Sequence, residues 1–363
     1  MEKITIPTEP IGSIPRSKEL IIAQRNYRYG TMTYDRLCDY YTRAIQTTIQ
    51  QFETTGSSII TDGEQTKPSF LTYPIFTLFN EYYTFSADCF SLKFADGHQR
   101  LLPRLIKAPF RYALYAHTYI DIAKQMTQLP IKQAVITPSA LSMVYPKATI
   151  RGYSHEQFLN DLTNECEKDI RLCLESGAYC VQLDFTEARF SLKIDPSGQL
   201  LKDFVQLNNQ VLDRFTFQEQ RRLGVHVCPG GDQDCYHSFE VDYLEVLPSL
   251  FKLHVSNFYL QITSETNRER IFLCIREHMK SWHRIFIGVI NPIDPRVESA
   301  KEVCDQILEA VKYIPIEQLG TTDDCGFSPF DDDESTSRQM AFDKIQARID
   351  GTHMAEKQLM MNR

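Results

Sequence analysis

The alternation of short apolar segments with helical segments is the feature of this chain that most restricts its fold. The apolar segments are nearly continuous in hydrophobicity, as parallel strands covered on both faces should be. Eight such segments, alternating with segments of helical pattern, predict a (β/α)8 TIM barrel. They are TEPIGSIP (8–15), SSIITDGE (57–64), KQAVITPS (132–139), AYCVQLDF (178–185), LGVHVC (223–228), NFYLQIT (257–263), RIFIGVI (284–290) and EQLGTTDDCG (317–326).

One helix–strand unit shows this pattern most clearly. Ser154 and Gln157 have the spacing of a capping box, which starts a helix. Gly177 is placed to end that helix directly before the segment 178–185. The apolar residues between them recur at helical spacing, and they are Phe158, Leu162, Cys166, Ile170 and Cys173.

We interpret residues 1–350 as one barrel domain. An aromatic-rich segment at about 70–125 interrupts the alternation between the second and third strands, and we interpret it as an insertion. Asp96-Gly97 within this insertion is typical of a β-hairpin turn. Residues 351–363 are predicted to form a C-terminal tail that frays at its end.

Composition restricts the partners of the chain. Its 363 residues are 42% hydrophobic and 24% charged, which allows a large core. The net charge of −8, without a long basic run, argues against nucleic acid as a partner. No apolar stretch reaches membrane-spanning length, and the N-terminal MEKITIPTEP lacks the apolar run of a signal peptide. Ten scattered cysteines indicate reduced thiols, so we expect a cytoplasmic protein without a membrane partner; a homo-oligomer remains open.

Polar residues that can perform chemistry gather where the predicted strands end. In a TIM barrel the carboxyl ends of all strands meet at one mouth, which is where active sites form. We therefore expect these side chains to converge. They are Gly12 and Ser13, Asp62 and Glu64, Asp184 and Glu187, His226 and Cys228, Gln261 and Glu265, and Asp323, Asp324 and Cys325.

His226 and Cys228 indicate a metal site. They are two residues apart on a predicted strand, so their side chains share a face. Imidazole and thiolate ligands favour Zn²⁺, and Cys325 in DDCG at another strand end supplies a third ligand if the barrel closes. A His-x-Cys pair alone is more often core filling. A redox pair of Cys228 with Cys235 is disfavoured, because the spacing is not Cys-x-x-Cys.

Six motifs occur in an order that resembles a known family. The chain resembles, over essentially its whole length, the catalytic barrel of the cobalamin-independent methionine synthases and their shorter single-barrel relatives. The resemblance implies a zinc-dependent methyltransferase that moves a methyl group from a methyltetrahydrofolate to the thiol of homocysteine, forming methionine. The motifs are IGSIPR (11–16), TDGE (61–64), VQLD (181–184), HVC (226–228), DPRVES (294–299) and DDCGF (323–327).

The resemblance also implies roles for residues that bind the substrate. Ile11, Gly12 and Ser13 would hold the carboxylate of the amino acid through backbone donors. Glu64 and Asp184 would hold its ammonium group. The alternatives are a tight loop for the first three residues and, for the two acids, a buried salt bridge with an Arg or Lys of the barrel.

The fourth metal ligand of the family, a glutamate, is missing. Gln261 occupies the corresponding position, and glutamine is a poor zinc ligand. Either Glu265, four residues later, binds the metal, or the protein supplies three ligands. Cys235 and His237 follow the first ligand pair and are interpreted as loop or supporting groups.

The residues that act on the methyl donor also differ from the family. Phe185 stands where the family has a glutamate, and Glu187 either replaces it or caps the next helix. The proton-donating histidine is absent from NPIDPRVES, so Asp294 or a solvent molecule would supply any proton. The tryptophan that stacks on the pterin is also missing; Tyr145 offers another flat ring, and Trp282 is interpreted as packing.

These departures leave two other functions open. The first is a zinc-dependent thiol alkyltransferase or lyase with another electrophile, for example an epoxide opened by a zinc-bound thiolate. The second is a non-catalytic relative that binds a thiol, a folate or a protein partner. Metal analysis and titration with homocysteine and a methylated folate separate these functions.

Overall fold

The computed structural model describes residues 4–79, 81–85 and 89–361. Six of its strands form one parallel sheet in the order β12-β11-β10-β7-β6-β5. The described strands are β1 (Tyr83–Thr84), β2 (Phe90–Lys93), β3 (Gln99–Leu102), β4 (Arg104–Leu105), β5 (Lys132–Ile136), β6 (Cys180–Asp184), β7 (Leu223–Val227), β8 (Gly231–Asp232), β9 (Cys235–Tyr236), β10 (Asn257–Leu260), β11 (Arg284–Ile290) and β12 (Leu319–Asp323).

Two irregular segments close this sheet into a barrel. Thr8 forms a parallel bridge with Thr321 of β12, and Ile60 forms one with Ile131 beside β5. The two segments then meet each other, because the Thr61 hydroxyl donates to the Gly12 carbonyl oxygen at 2.8 Å. The six-stranded sheet and these two segments make the predicted (β/α)8 barrel.

The first of these segments differs from a regular strand for a physical reason. Pro7 directly precedes it and Pro10 and Pro15 lie within it, and proline has no N–H to donate to a strand ladder. Its backbone pairing is therefore reduced to bonds such as Glu9 N–H to the Thr321 carbonyl oxygen at 3.0 Å.

Helices surround the barrel, as the sequence pattern predicts. The capping box of Ser154 and Gln157 is present, and Gly177 follows the end of that helix with a left-handed φ of 82°. Within the described residues, no helix is long and apolar enough to cross a membrane. The helices are α1 (Lys18–Arg28), α2 (Tyr34–Thr54), α3 (His117–Ala123), α4 (Pro138–Ser142), α5 (His155–Glu175), α6 (Glu187–Ile194), α7 (Gln199–Leu212), α8 (Phe217–Gln220), α9 (Tyr243–Leu250), α10 (Arg268–His278), α11 (Ala300–Ala310) and α12 (Arg338–Met361), with short 3₁₀ turns at Phe76–Leu78 and Ile316–Gln318.

The insertion contains the hairpin expected from Asp96-Gly97. Strands β2 and β3 pair antiparallel, and Gly97 at the turn has φ 94°. The hairpin is attached to the barrel mouth, because Ala95 N–H donates to the Tyr236 carbonyl oxygen at 3.1 Å. Arg100 on β3 also forms an ion pair with Asp232 of β8, with 2.6 Å between Nε and Oδ2. The insertion therefore covers part of the mouth.

The C-terminal helix differs from the predicted tail. Helix α12 continues to Met361, and its Thr352 and Ala355 are buried. Residues 351–361 are therefore part of the packed barrel, whereas Asn362 and Arg363 lie outside the described residues. Apolar packing onto the barrel holds the helix in place where the sequence pattern alone indicated fraying.

A buried ion pair joins this helix to the last strand. Arg348 of α12, 1% exposed, pairs with Asp323 at the end of β12, 2% exposed. Asp323 directly precedes Asp324 and Cys325, so the pair fixes the backbone from which the predicted site residues extend.

We predict that Arg348→Met lowers the free energy of unfolding by about 3–5 kcal/mol, because it leaves a buried carboxylate without its partner. Urea denaturation followed by circular dichroism measures the change. The exposed Arg36→Met is the control and should stay within about 0.5 kcal/mol of the wild type. A loss for Arg348→Met no larger than that of the control would contradict the anchoring role.

Candidate metal centre and substrate cavity

The structure brings His226, Cys228 and Cys325 together at the barrel mouth. Their ligand atoms all lie within 4.8 Å of one another, and all three residues are buried. His226 is in β7 and Cys228 follows directly after this strand, whereas Cys325 follows β12. The two sulfurs are 3.0 Å apart. The expected convergence of three donors from two distant strands is therefore present.

The Pro-Gly-Gly turn after Cys228 supports the sulfurs. The Gly230 N–H donates to Cys228 Sγ at 3.4 Å, and the Gly231 backbone N–H donates to Cys325. Gly230 has φ 72°, and a Cβ there would lie 1.7 Å from His237 Nε2. Only glycine therefore allows this turn, whose N–H donors stabilise negative charge on sulfur.

The imidazole of His226 is oriented as a metal ligand requires. Its Nδ1 lies 3.3 Å from the Tyr259 carbonyl oxygen, an arrangement that puts the proton on Nδ1. Its Nε2 is buried and has no hydrogen-bond partner among the described residues. A lone pair is thus available on Nε2, with a backbone acceptor behind the ring, as is usual for metal-binding histidines.

The two thiols differ in acidity because of their surroundings. Burial and the neighbouring Cys325 raise the pKa of Cys228 well above its usual value. The hydrogen bond from Cys228 lowers the pKa of Cys325 well below its usual value, and the nearby His226 acts in the same direction. The pair can therefore hold one proton, with Cys325 as the thiolate.

This donor set fits a soft divalent metal. One imidazole nitrogen and two sulfurs are typical zinc ligands, and three protein ligands leave a position for a substrate. The unpartnered, buried Nε2 of His226 supports the same conclusion, because such an atom is costly unless a ligand satisfies it.

Glu265, one of the two alternatives considered for the fourth ligand, is not part of this cluster. Its Oε1 forms an ion pair with Arg189 Nη1 at 2.6 Å. The Arg189 side chain is 1% exposed, so it requires this carboxylate to compensate its charge. The ion pair occupies the Glu265 carboxylate, so the structure favours the alternative of three protein ligands.

Gln261 is the other candidate from this strand end. Its Nε2 donates to Ser264 Oγ at 2.7 Å, and Ser264 Oγ donates in turn to Asp324 Oδ2 at 2.6 Å. Because that hydroxyl gives its proton to Asp324, it accepts from the amide nitrogen of Gln261. The Oε1 atom is thereby left buried and without a partner in the described part of the chain.

A cavity of about 330 Å³ opens beside the cluster. It contains the predicted substrate-binding residues Ile11, Gly12, Ser13, Glu64 and Asp184, and also His226 and Cys325. Within the ranges that the structure describes, the backbone N–H groups of Gly12 and Ser13 donate to no protein acceptor. They are available to an anionic group in the cavity.

The two acids predicted to bind the substrate, Glu64 and Asp184, have different partners. Glu64 Oε1 lies 2.8 Å from Lys67 Nζ, so the buried salt bridge considered as an alternative is present for this residue. Asp184 has no Lys or Arg within ion-pair distance in the described ranges, and its Oδ1 accepts from Gln182 Nε2 at 2.7 Å. Burial raises the pKa of Asp184 to about 6. Of these two acids, Asp184 is therefore the one without a cationic partner among the described residues.

Asp294, expected to donate a proton, does not reach the cavity. It lies in the turn after β11, where its Oδ1 accepts from the Arg296 N–H at 2.9 Å. Its side chain is 34% exposed, and it does not line the cavity. The motif DPRVES resembles the family here, but in this chain its aspartate stabilises a turn.

The outer part of the cavity is apolar, which the strand-end pattern did not reveal. The hairpin β2–β3 and neighbouring segments provide most of this wall. Its signal in the sequence is the alternation of apolar and polar residues in FSLKF (90–94), followed by the turn residues Asp96-Gly97. Tyr145, considered as a flat ring for a donor, packs on His155 and Phe158 instead. The wall includes Phe70, Phe90, Phe94, Leu102, Phe190 and Phe330.

Comparison with known proteins gives one family. The model of the cobalamin-independent synthase catalytic domain matches residues 6–342. A methionine synthase from Pyrococcus horikoshii is 21% identical over 99% of this chain and 95% of its own length. One from Thermococcus kodakarensis is 22% identical over 99% of this chain and 96% of its own length.

Solved structures with the same fold confirm the barrel. A B12-independent methionine synthase from Shewanella sp. W3-18-1, in complex with selenomethionine, has a TM-score of 0.76 at 18% identity. The match covers 98% of this chain and 99% of that chain. A methyltransferase from Methanosarcina mazei has a TM-score of 0.52 at 11% identity, covering 96% and 94%.

We predict that Cys325→Ser weakens zinc binding by more than about 100-fold, a larger effect than the loss of a supporting group around a metal. Competition with a chromophoric chelator measures the affinity. Cys235→Ser is the matched control, because this half-buried thiol on β9 lies outside the cluster. Equal affinities for the two variants would show that Cys325 is not a ligand.

Proposed function

The chain belongs to the cobalamin-independent methionine synthase family, and we propose that it transfers a methyl group to the thiol of homocysteine. The proposal includes zinc as the metal and a methyltetrahydrofolate as the methyl donor. The observation that carries it is the convergence of His226, Cys228 and Cys325 beside a cavity that also contains Asp184.

His226, Cys228 and Cys325 would hold the zinc ion through Nε2 and two sulfurs. When bound, zinc would lower the pKa of the substrate thiol, so that a thiolate exists at neutral pH. The turn Pro229–Gly231 keeps the two sulfurs in place through its N–H groups. All three side chains are buried, so bulk water has little access to the protein ligands.

The polar part of the cavity suits the amino-acid end of homocysteine. The free N–H groups of Gly12 and Ser13 would bind its carboxylate, and Asp184 would bind its ammonium group. Glu64 contributes a second carboxylate, partly neutralised by Lys67. The selenomethionine bound to the Shewanella protein supports this assignment, because selenomethionine carries the same amino-acid group as the expected product.

The apolar part of the cavity suits the methyl donor. The rings of Phe90, Phe94 and Phe190 offer flat apolar surfaces, in place of the tryptophan that the family uses. A pterin has both a flat face and polar edges, which is why a methyltetrahydrofolate is the proposed donor.

The test is methionine formation by the zinc-loaded protein from homocysteine and 5-methyltetrahydrofolate, measured by mass spectrometry. Zinc removal and Cys325→Ser should each abolish it. Homocysteine binding without turnover would overturn the folate assignment. A protein that binds neither zinc nor homocysteine would overturn the whole proposal.

We predict that L-methionine binds to the protein and that Asp184→Asn weakens this binding about 10- to 100-fold. The factor corresponds to roughly 1.5–3 kcal/mol for a hydrogen bond to a charged group. Methionine has no thiol proton, so its binding reports on the amino-acid end alone. Calorimetric titration measures it, with the exposed Asp203→Asn as control.

The same interaction predicts a pH dependence. An ammonium group binds the ionised form of Asp184, whose pKa is raised to about 6 by burial. Methionine affinity should therefore be complete above this pH and should decrease as the pH falls through about 6. Asp184→Asn should remove this decrease. An unchanged profile in the variant would assign the ammonium group to another residue.

A further inference from the structure

Glu187 is a buried acid in the cavity wall for which the proposed reaction has no role so far. It is the first residue of α6, three residues after Asp184, and is 4% exposed. It lines the same cavity as Asp184, His226 and Phe190. It therefore lies where the polar residues at the strand ends meet the apolar wall.

One oxygen of this carboxyl group is held firmly. Thr137 Oγ1 donates to Glu187 Oε1 at 2.5 Å, and Ser139 Oγ donates to the same oxygen. Ser139 is itself fixed, because its backbone N–H donates to Asn208 Oδ1 at 3.1 Å. Both hydroxyls use Oε1 as an acceptor, so a proton on this carboxyl group is carried by Oε2.

The other oxygen is left for a ligand. Oε2 of Glu187 is buried and has no hydrogen-bond partner among the residues that the structure describes. A buried polar atom without a partner is destabilising, and in native proteins it usually has a functional explanation. Because the residue lines the cavity, a bound substrate is the partner that explains it.

The surroundings of Glu187 leave a large fraction of it protonated at neutral pH. Burial raises its pKa to about 7, against the hydrogen bonds from Ser139 and Thr137, which lower it. Asp184 is the ionised neighbour that raises it further. The other ionisable groups that line the cavity are Glu64, Arg100, His226, His237 and Cys325, and Arg100 is paired with Asp232 and Asp332.

We propose, on the basis of the methyl transfer proposed above, that Glu187 delivers a proton from Oε2 to the leaving atom of the methyl donor. The thiolate sulfur forms a bond to the methyl carbon while the bond from this carbon to the leaving atom breaks. The electron pair of the broken bond stays on the leaving atom, which takes the proton. Glu187 becomes a carboxylate and then regains a proton from solvent. This proton balances the one that the thiol releases when it ionises.

This role indicates the class of donor. A methyl group on an amine nitrogen leaves a basic atom that needs a proton, whereas a sulfonium donor leaves as a neutral thioether. An acid at this position is useful only for the first class. It also replaces Asp294 as the source of the proton, since Asp294 lies in an outer turn.

The test is Glu187→Gln, which keeps an acceptor for Thr137 and Ser139 but cannot transfer a proton. Single-turnover rates with homocysteine are compared for 5-methyltetrahydrofolate and trimethylsulfonium. We expect a loss of about 10²- to 10⁴-fold with the folate, the usual contribution of general acid catalysis, and less than about 3-fold with the sulfonium. Equal losses with both donors, or none with the folate, would overturn the assignment.

Three controls separate this role from a structural one. The exposed Glu175→Gln should leave both rates unchanged. Asp294→Asn should also retain the folate rate; a selective loss there would assign the proton to Asp294 and overturn the proposal. Infrared spectra at pH 6 should contain a protonated-carboxyl band in the wild-type-minus-Glu187→Gln difference, and its absence would overturn the proposal too.

The outcome also distinguishes the role of Glu187 from the methyl transfer on which it rests. A wild type that methylates homocysteine, with a Glu187→Gln variant equally fast, would overturn the role of Glu187 alone. A wild type that binds homocysteine and methylates it with neither donor would overturn methyl transfer, and the role of Glu187 with it.

Discussion

Closure of the parallel sheet into a barrel is the constraint on which the rest of the molecule depends. His226 and Cys228 belong to β7 and the residue after it, whereas Cys325 follows β12, 97 positions beyond Cys228. Parallel strands direct their carboxyl ends to one rim, so closure alone brings these donors within 4.8 Å of one another. The cavity beside the cluster lies at the same rim for the same reason.

The barrel and the three-residue cluster could be predicted from the sequence because both follow from local patterns. Buried strands have continuous apolar runs. The residues directly after them lie at the mouth of the barrel, regardless of how the surrounding helices pack. This rule alone predicts that His226, Cys228 and Cys325 lie together at the mouth. The first strand was less regular than predicted because its prolines prevent a full ladder, yet Gly12 and Ser13 still reach the cavity.

Other site residues depend on tertiary partners that no spacing reveals. Glu265 follows a strand end, but it pairs with the buried Arg189, which belongs to the distant helix α6. Asp294 lies in a motif that resembles the family, but a local turn uses its carboxylate. The apolar wall comes from an insertion whose position over the mouth is fixed by long-range contacts such as Arg100 with Asp232.

The connection between the last strand and the last helix has a consequence for biosynthesis. Thr8 pairs with β12, and Arg348 of α12 anchors the aspartate that lies two residues before Cys325. On the ribosome, the imidazole and the first sulfur therefore emerge long before the second sulfur and its anchor. Because the three donors can meet only after β12 has joined the sheet, the cluster forms late and cannot guide the early folding of the barrel.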